Sequence, residues 1–553
     1  MNTILKICGL LLLAILLFLA GWWLGQLQVT PTAVCTGSLR VVTEGENTTD
    51  PGGSAPAVSV GINEGPPKFR VAIAEGVNPG TQSVYTEFRP GLTVSVGFCR
   101  TAEGGGDCTP GDFTEVTNCD DSRCRAEAEV LAGAMTRVVF RHEGRYEGWG
   151  AQTPGGKNGK ILPVTNLNPS GSGSLRQALI DACNQNNRYI VFRVSGKIVL
   201  PHTDKGGVNN SLKVCGNRIT VDGFTAPDPG ITVTQYGLNI HVTGPGGVSD
   251  PKDTHDLILR GFRLRKNGYS GANCDGASPD DCELQVVNIE TGASSYNGPY
   301  RVHDLVIDHM SISGGRDDMI GISRGSYNLT LSWNLISNGF SSNQGYLMDS
   351  SSYQVSMHHN RWSTSARRNP QITYHNVNPG STNTSTPPTI SADIRANTIV
   401  EYKENAQASH WGALIAAGAK ANIINNYFTA DATLANDSWG PNNAIITCNP
   451  GSRWMNGQTM NTCDFCNPGN DPCQVASDTF VDGNFIDEKG YGRAPSMDMN
   501  ALDVNVDRAI TSPTITMEVD AAAAACVVRE RAGARPLDNH DAQQDTRYRN
   551  PCG

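Results

Sequence analysis

The alternation of apolar and polar residues between His303 and Ile372 repeats itself. HDLVIDHMSIS (303–313), YNLTLSWNLIS (327–337) and YQVSMHHNRWS (353–363) are near-copies of one alternating run that ends in a polar pair. The pair is Asp308-His309, then Trp333-Asn334 after 25 positions, then His359-Asn360 after 26. DLILRGFRL (256–264), ADIRANTIV (392–400), ANIINNYFT (421–429) and TFVDGNFID (479–487) continue the pattern, with steps of 37 and 29 through Asn426. The step of 47 from Gly261 to Asp308 reads as about two turns. One strand and one recurring Asn/Gly turn per period of this length predict a stacked solenoid of parallel sheets. Asparagine at a repeated turn adopts left-handed backbone angles and hydrogen-bonds to the asparagines above and below. The longer steps predict loops such as 378–388 on one side, where a cleft would be built.

Other stretches carry other periods. Ser174 is a good N-cap, and Leu175, Ala178, Leu179 and Ala182 share one helical face, which predicts a short cap helix before the strands. Residues 36–146 hold short alternating runs between Gly, Pro and Asp turns and predict a separate small β-sandwich-like domain. It reads as a spacer or stabilising module, or as a carbohydrate-binding one. GWGAQTPGGKNG (148–159) lacks the strand–GxGxxG–helix context of a nucleotide loop and marks a boundary. The solenoid occupies 147–520. The tail 521–553 is helical or irregular and is expected to cover the last coil, since open sheet edges aggregate.

Composition narrows the function classes. A net charge of −10 in 553 residues gives no global case for nucleic-acid binding. Lys6 precedes Ile7–Leu24, eighteen uncharged residues, so 1–30 reads as a signal peptide or a retained membrane anchor. Export fits the 16 cysteines. Short-range pairings are expected among Cys99/Cys108, Cys119/Cys124, Cys183/Cys215, Cys274/Cys282 and Cys526/Cys552, although sequence does not fix the connectivity. Cys448, Cys463, Cys466 and Cys473 form two disulfides or a zinc knot, and Cys35 is left over.

VTNLNPSGSGSLRQAL, ITVDGFTAPDPGITV, VIDHMSIS, HHNRWSTSARRNPQI and AGARPLD, in this order over about 145–540, resemble the pectate lyase family. The likeness is to its exported bacterial branch. It implies a right-handed parallel β-helix that cleaves pectate or polygalacturonate by β-elimination, with calcium bound by acidic side chains and an arginine near C5 of the sugar. The arginine position falls on Arg368, eight residues after Asn360 and two before Pro370. The first family acid falls on Asp317. The second falls on Gly321, a departure, with Asp318 as its substitute, and Glu283 or Gln285 stands where a further ligand belongs. A substrate-binding lysine is replaced by Gln344 and a second arginine by Thr373. The expected site is therefore Arg368 as catalytic residue; Arg367, Gln344 and His359 at the substrate; and Asp317, Asp318 and Glu283 at calcium.

Several questions stay open at the level of sequence. Arginine is not deprotonated in proteins, so Arg368 is either a base in a site that depresses its pKa or an electrostatic clamp. His309, His358 and His359 sit at repeat turns, where packed ladder residues are common. Arg260, Arg263, Arg265 and Lys266, with Arg361, Arg367 and Arg368, are candidates for the basic patch an acidic polysaccharide needs. Asp317-Asp318 also suits a polygalacturonase-like hydrolase, but Gly-His-Gly and Arg-Ile-Lys are absent from the chain. A non-catalytic glycan-binding adhesin is the third reading. A monomer is expected.

Overall fold

The structure is a computed structural model. It describes residues 37–45, 59–62, 68–69, 71–77, 80–87, 92–102, 114–116, 118, 123–131, 134–144, 146–157, 159–201, 211–242, 253–266, 285–290, 300–315, 318–323, 325–337, 344–348, 352–363, 368–372, 390–400, 412–415, 419–429, 445–447, 478–486, 510, 513–534 and 536–546. The chain divides into two compact units, Met1–Arg145 and Tyr146–Gly553.

The first unit has a five-stranded and a four-stranded sheet. Their pairings are antiparallel except Gly37–Gly45, which runs parallel to Ala134–Gly144. Val84, Cys124, Ala128 and Val130 of one sheet share a core with Val94, Val96, Val138 and Phe140 of the other, so the unit is a sandwich.

The second unit is a parallel β-helix. Among the described residues, three parallel sheets hold 10, 9 and 8 strands, and successive coils from Arg188 on visit them in turn. One coil runs Val302–Asp308 in the first sheet, Ser311–Ser313 in the second and Asp318–Ile322 in the third. Like stacks on like: Leu257, Leu305, Leu329, Val355, Ala392 and Ala421 follow one another down the first sheet. Leu264, Ile312, Ile336, Trp362, Ile399 and Phe428 do so down the second. Burying each large apolar side chain in these columns contributes about 1.5–3 kcal/mol. Leu175–Gln185 is the predicted helix, and it follows rather than precedes the first strand, Lys160–Val164, which pairs with Arg188–Phe192 at the edge of the first sheet. The Ser174 side chain accepts from Gln177 N, and Leu175, Ala178, Leu179 and Ala182 are buried. Cys183 and Cys215 are joined by a disulfide. Cys99, Cys124 and Cys526 are disulfide-bonded too. The other expected cysteine partners lie outside the described residues.

The turn between first and second sheets carries the ladder. Asn334 donates from backbone N and Nδ2 to Asn360 Oδ1 at 3.0 and 2.9 Å, and Asn360, Asn397 and Asn426 repeat this toward Asn397, Asn426 and Asn484. The residue before each ladder position has positive φ: His309, Trp333, His359, Ala396, Asn425 and, as glycines, Gly261 and Gly483. This shifts the sequence register. His309 matches Trp333 and His359, and Asp308 pairs with Ser332, a step of 24 rather than 25. Met310 thus occupies the ladder position, its N donating to Asn334 Oδ1. The 47-residue step is one coil, not two, because Thr254–Arg260 pairs directly with Val302–Asp308.

Two segments lie along the outside of the helix. The Gly-rich stretch crosses the outer face of the first sheet: Trp149 N donates to Ser356 Oγ, Gly150 N to Thr330 Oγ1 and Gly156 N to Thr220 Oγ1. A Cβ on Gly156 would stand 2.0 Å from Arg188 O, so only glycine allows this approach. The tail does not follow the expected course over the last coil. Ala521 and Ala525 pack on Val400 and Tyr427 of the second sheet. From there the chain runs backward along that sheet, through Gly533 N to Trp333 O and Ala534 N to Ser311 Oγ, to reach Arg263 and Arg265. Arg265 pairs with Asp541 at 2.6 Å, and Arg263 donates to Pro536 O.

Asn360→Ala removes the acceptor for two Asn334 donors and the donor to Leu331 O. Each buried partner left without a hydrogen bond costs about 1–3 kcal/mol. Denaturant unfolding of the full chain is expected to show a loss of that order, and a smaller one for the half-exposed end of the ladder in Asn484→Ala.

Candidate active site

The third sheet places the strongest candidate. Asp318 opens the strand Asp318–Ile322, and Met319, Ile320 and Ile322 fix it in the core. Gln344 opens the next strand, Gln344–Met348, and pairs with Asp318. On the following coil Leu347 pairs with Gln371, which leaves Arg368 three residues before that strand. Asp318, Gln344 and Arg368 thus meet the same rim of the sheet on three successive coils. Arg368 has φ of 61°, a left-handed conformation that a non-glycine residue holds only when its surroundings impose it. Those surroundings are Asn369 N donating to Gly412 O and Leu414 N donating to Pro370 O. The Asn369–Pro370 peptide is cis.

Arg368 Nη1 donates to both oxygens of Asp318, at 2.8 and 2.9 Å. The carboxylate is fully buried and the arginine side chain is 20% exposed. The result is a cation at the rim, anchored from inside. Sequence reasoning placed Asp318 at calcium; in the structure both its oxygens are engaged by Arg368. The partners are 50 residues apart, and nothing in the Asp317-Asp318 doublet marks which carboxylate turns toward Arg368.

The remaining expected residues fall in different places. Asp317, Glu283, Arg367 and Thr373 lie outside the described residues, and for Gln344 the description is of the backbone. Gly321 is where a second acid would stand. A Cβ there would come within 3.1 Å of Gln285 Nε2, so Gln285 takes the adjoining space. Among the described residues no group of three or more His, Cys, Asp or Glu side chains is placed to hold a metal ion. Of the three expected ligands only Asp318 is described, and both its oxygens are on Arg368.

His359 is not brought to this rim. It sits at the ladder turn between first and second sheets, 2% exposed, stacked on Trp333 at 4.2 Å with Nε2 2.9 Å from Glu518 Oε2. His309 stacks on the other face of Trp333 and contacts Asp308. Arg531 lies over Trp333, 5.9 Å from its centroid, a cation–π contact. A substrate-binding role for His359 is at odds with this burial; it is a packed ladder residue. The expected basic patch also dissolves. Arg260, Arg263, Arg265, Lys266 and Arg361 are all buried. Arg260 is taken up by Asp222, Tyr189 and Tyr146, and Arg263 and Arg265 hold the tail. Alternation alone could not reveal this, because the acids that bury Arg263 and Arg265 are more than 270 residues away.

Burial, reinforced by His359, holds His358 well below the ordinary imidazole range. Burial and then Lys213 lower His241 to about 4. Burial raises Glu518, but the His359 hydrogen bond and charge outweigh it and leave the carboxyl below its usual range. A histidine depressed in the folded state is protonated first in the unfolded chain, so stability rises with pH. The folded state is expected to weaken as pH falls from about 6.5 toward about 4. Denaturant midpoints measured across that window should fall steadily, and His241→Gln should make the decline shallower.

No family model matches the chain. It is 28% identical over 318 residues to a probable pectate lyase C of Aspergillus fumigatus, covering 57% of this chain and 58% of that protein. It is 31% identical over 229 residues to a probable pectate lyase C of Aspergillus flavus, covering 41% and 43%. A probable pectate lyase 18 of Solanum lycopersicum is 28% identical over 193 residues, covering 34% and 40%. The chain thus spans less than two thirds of these relatives. They are fungal and plant proteins, so the expected bacterial branch finds no support among them. Among solved structures, a pectate lyase of Bacillus sp. N165 in complex with trigalacturonate aligns over 70% of this chain and 98% of its own at 15% identity, TM-score 0.41. The major allergen of cedar pollen aligns over 70% and 92% at 16% identity, TM-score 0.41.

Proposed function

We propose that this chain is a pectate-lyase-like carbon–oxygen lyase acting on uronate polymers such as polygalacturonate. The observation that carries the reading is Arg368, a partly exposed guanidinium held at the rim of the third sheet by a buried carboxylate. Sequence similarity to probable pectate lyases supports it. In β-elimination the C5 proton leaves, charge spreads onto the neighbouring carboxylate, the C4–O4 bond breaks with its electron pair going to O4, which takes a proton from water, and a C4–C5 double bond forms. Arg368 supplies fixed positive charge where that negative charge develops. Arginine stays protonated in proteins, so the C5 proton goes to hydroxide from solvent. Gln344 and Arg367 complete the substrate contacts of this proposal.

Calcium enters the proposal only through Asp317 and Glu283, beside Asp318, and no step above depends on it. Hard carboxylate donors favour calcium over transition metals. The disulfides support an oxidising compartment, outside the cell or in a periplasm. Among the described residues no helix is long and apolar enough to cross a membrane. Anchoring through residues 7–24 and action as a monomer stay within the proposal.

Incubation with polygalacturonate is expected to yield the ultraviolet absorbance of an unsaturated uronate product. New reducing ends without that absorbance would identify a hydrolase, and neither signal would leave a glycan-binding solenoid. Arg368→Lys keeps the charge but loses the planar fork, and is expected to lower the rate about 10²-fold or more. An unchanged rate would remove Arg368 from the chemistry. In a separate assay, chelation is expected to slow turnover, with calcium and not magnesium restoring it; indifference to both would strike calcium from the proposal.

A further inference from the structure

The ion pairs of the β-helix fall into distinct kinds. Arg260–Asp222 is buried on both sides, at 1% and 1% exposure, and Arg395–Asp393 nearly so. Lys420–Asp478 is open on both sides. Arg368–Asp318 has one partner sealed in the core and the other reaching solvent. A pair buried on both sides can only brace the fold. In the asymmetric pair the sealed carboxylate restrains a cation that faces outward. Arg368 is restrained a second time by its left-handed backbone, pinned through Asn369 and Pro370 to the coil carrying Gly412 and Leu414.

We infer that Asp318 is a positioning residue for Arg368: it fixes the guanidinium at the rim so that its charge is aimed before substrate arrives. The inference rests on the lyase reading and deepens it. Both Asp318 oxygens meet the same nitrogen, Nη1, which sets where that nitrogen lies and turns the rest of the guanidinium relative to it. Preorganised charge needs no rearrangement as the reaction proceeds, so losing the restraint lowers turnover more than substrate binding. Asp318 is itself fully buried, with Met319 and Ile320 beside it in the strand, so its carboxylate reaches the rim only through Arg368.

The test compares the full chain with Asp318→Asn, Arg368→Lys and the double variant. Asp318→Ala is made as well, in case the buried amide of the first variant prevents folding; circular dichroism checks each. The expected result for Asp318→Asn is a kcat reduced about 30-fold or more with KM within about twofold. The double variant should be no slower than Arg368→Lys alone, since Asp318 acts through Arg368. A second readout does not depend on turnover: modification of Arg368 by a dicarbonyl reagent, followed by mass spectrometry of its peptide. It should be slow in the native chain and several-fold faster in Asp318→Asn. Full kcat in the folded Asp318 variants, or multiplied losses in the double variant, would overturn the inference, as would an unchanged modification rate. A native chain that releases no unsaturated product from any uronate overturns the lyase reading and the catalytic half of the inference. The modification rates still decide whether Asp318 restrains the guanidinium.

Discussion

From Asn360 onward each ladder asparagine accepts two hydrogen bonds from the preceding coil through one oxygen and donates backward to a backbone carbonyl. That interaction sets the register of the whole β-helix. A parallel sheet of alternating residues tolerates no slip of one, because a slip would turn every inward leucine out. The buried amides at 334, 360, 397 and 426 allow one alignment of each coil on the next. Long excursions can therefore be inserted without moving the strands: coils of 24 and 58 residues join the same sheets. Arg368 and Asp318, separated by two coils, inherit their relation from this register.

The repeat, the cap helix with its Ser174 cap and the ladder asparagines were legible in the sequence, because each rests on local periodicity or local hydrogen bonding. The register at Asp308 was not. Met310 breaks the asparagine series, and the doublet Asp308-His309 imitates the polar pair one position early. The excursion before Val302 concealed a single coil for a similar reason: length alone cannot separate an insertion from an extra turn. Arg368 was found through a motif. Its tie to Asp318 was not, since a contact across 50 residues leaves no trace in spacing.

Charge was the least legible property. Arg260, Arg263 and Arg265 look like surface cations when read in order, yet each is surrounded by acids or carbonyls from distant segments. Removing water from such groups is costly unless partners are in place, so these contacts make the fold conditional on those segments. The patch expected to attract an acidic polymer is thus internal structure, and the outward charge at the site is concentrated in Arg368.

The backward course of the tail has a consequence in time. The chain is made from the N-terminus, so the coils bearing Arg263 and Arg265 emerge long before Pro536, Asp538 and Asp541. Until those last residues arrive, early coils hold cations without their counterions, and the second sheet lacks its outer cover. A product cut short anywhere before residue 536 would carry this defect at its centre rather than at its broken end. Docking of 533–541 is thus a late event that completes the ion pairs of coils formed far earlier.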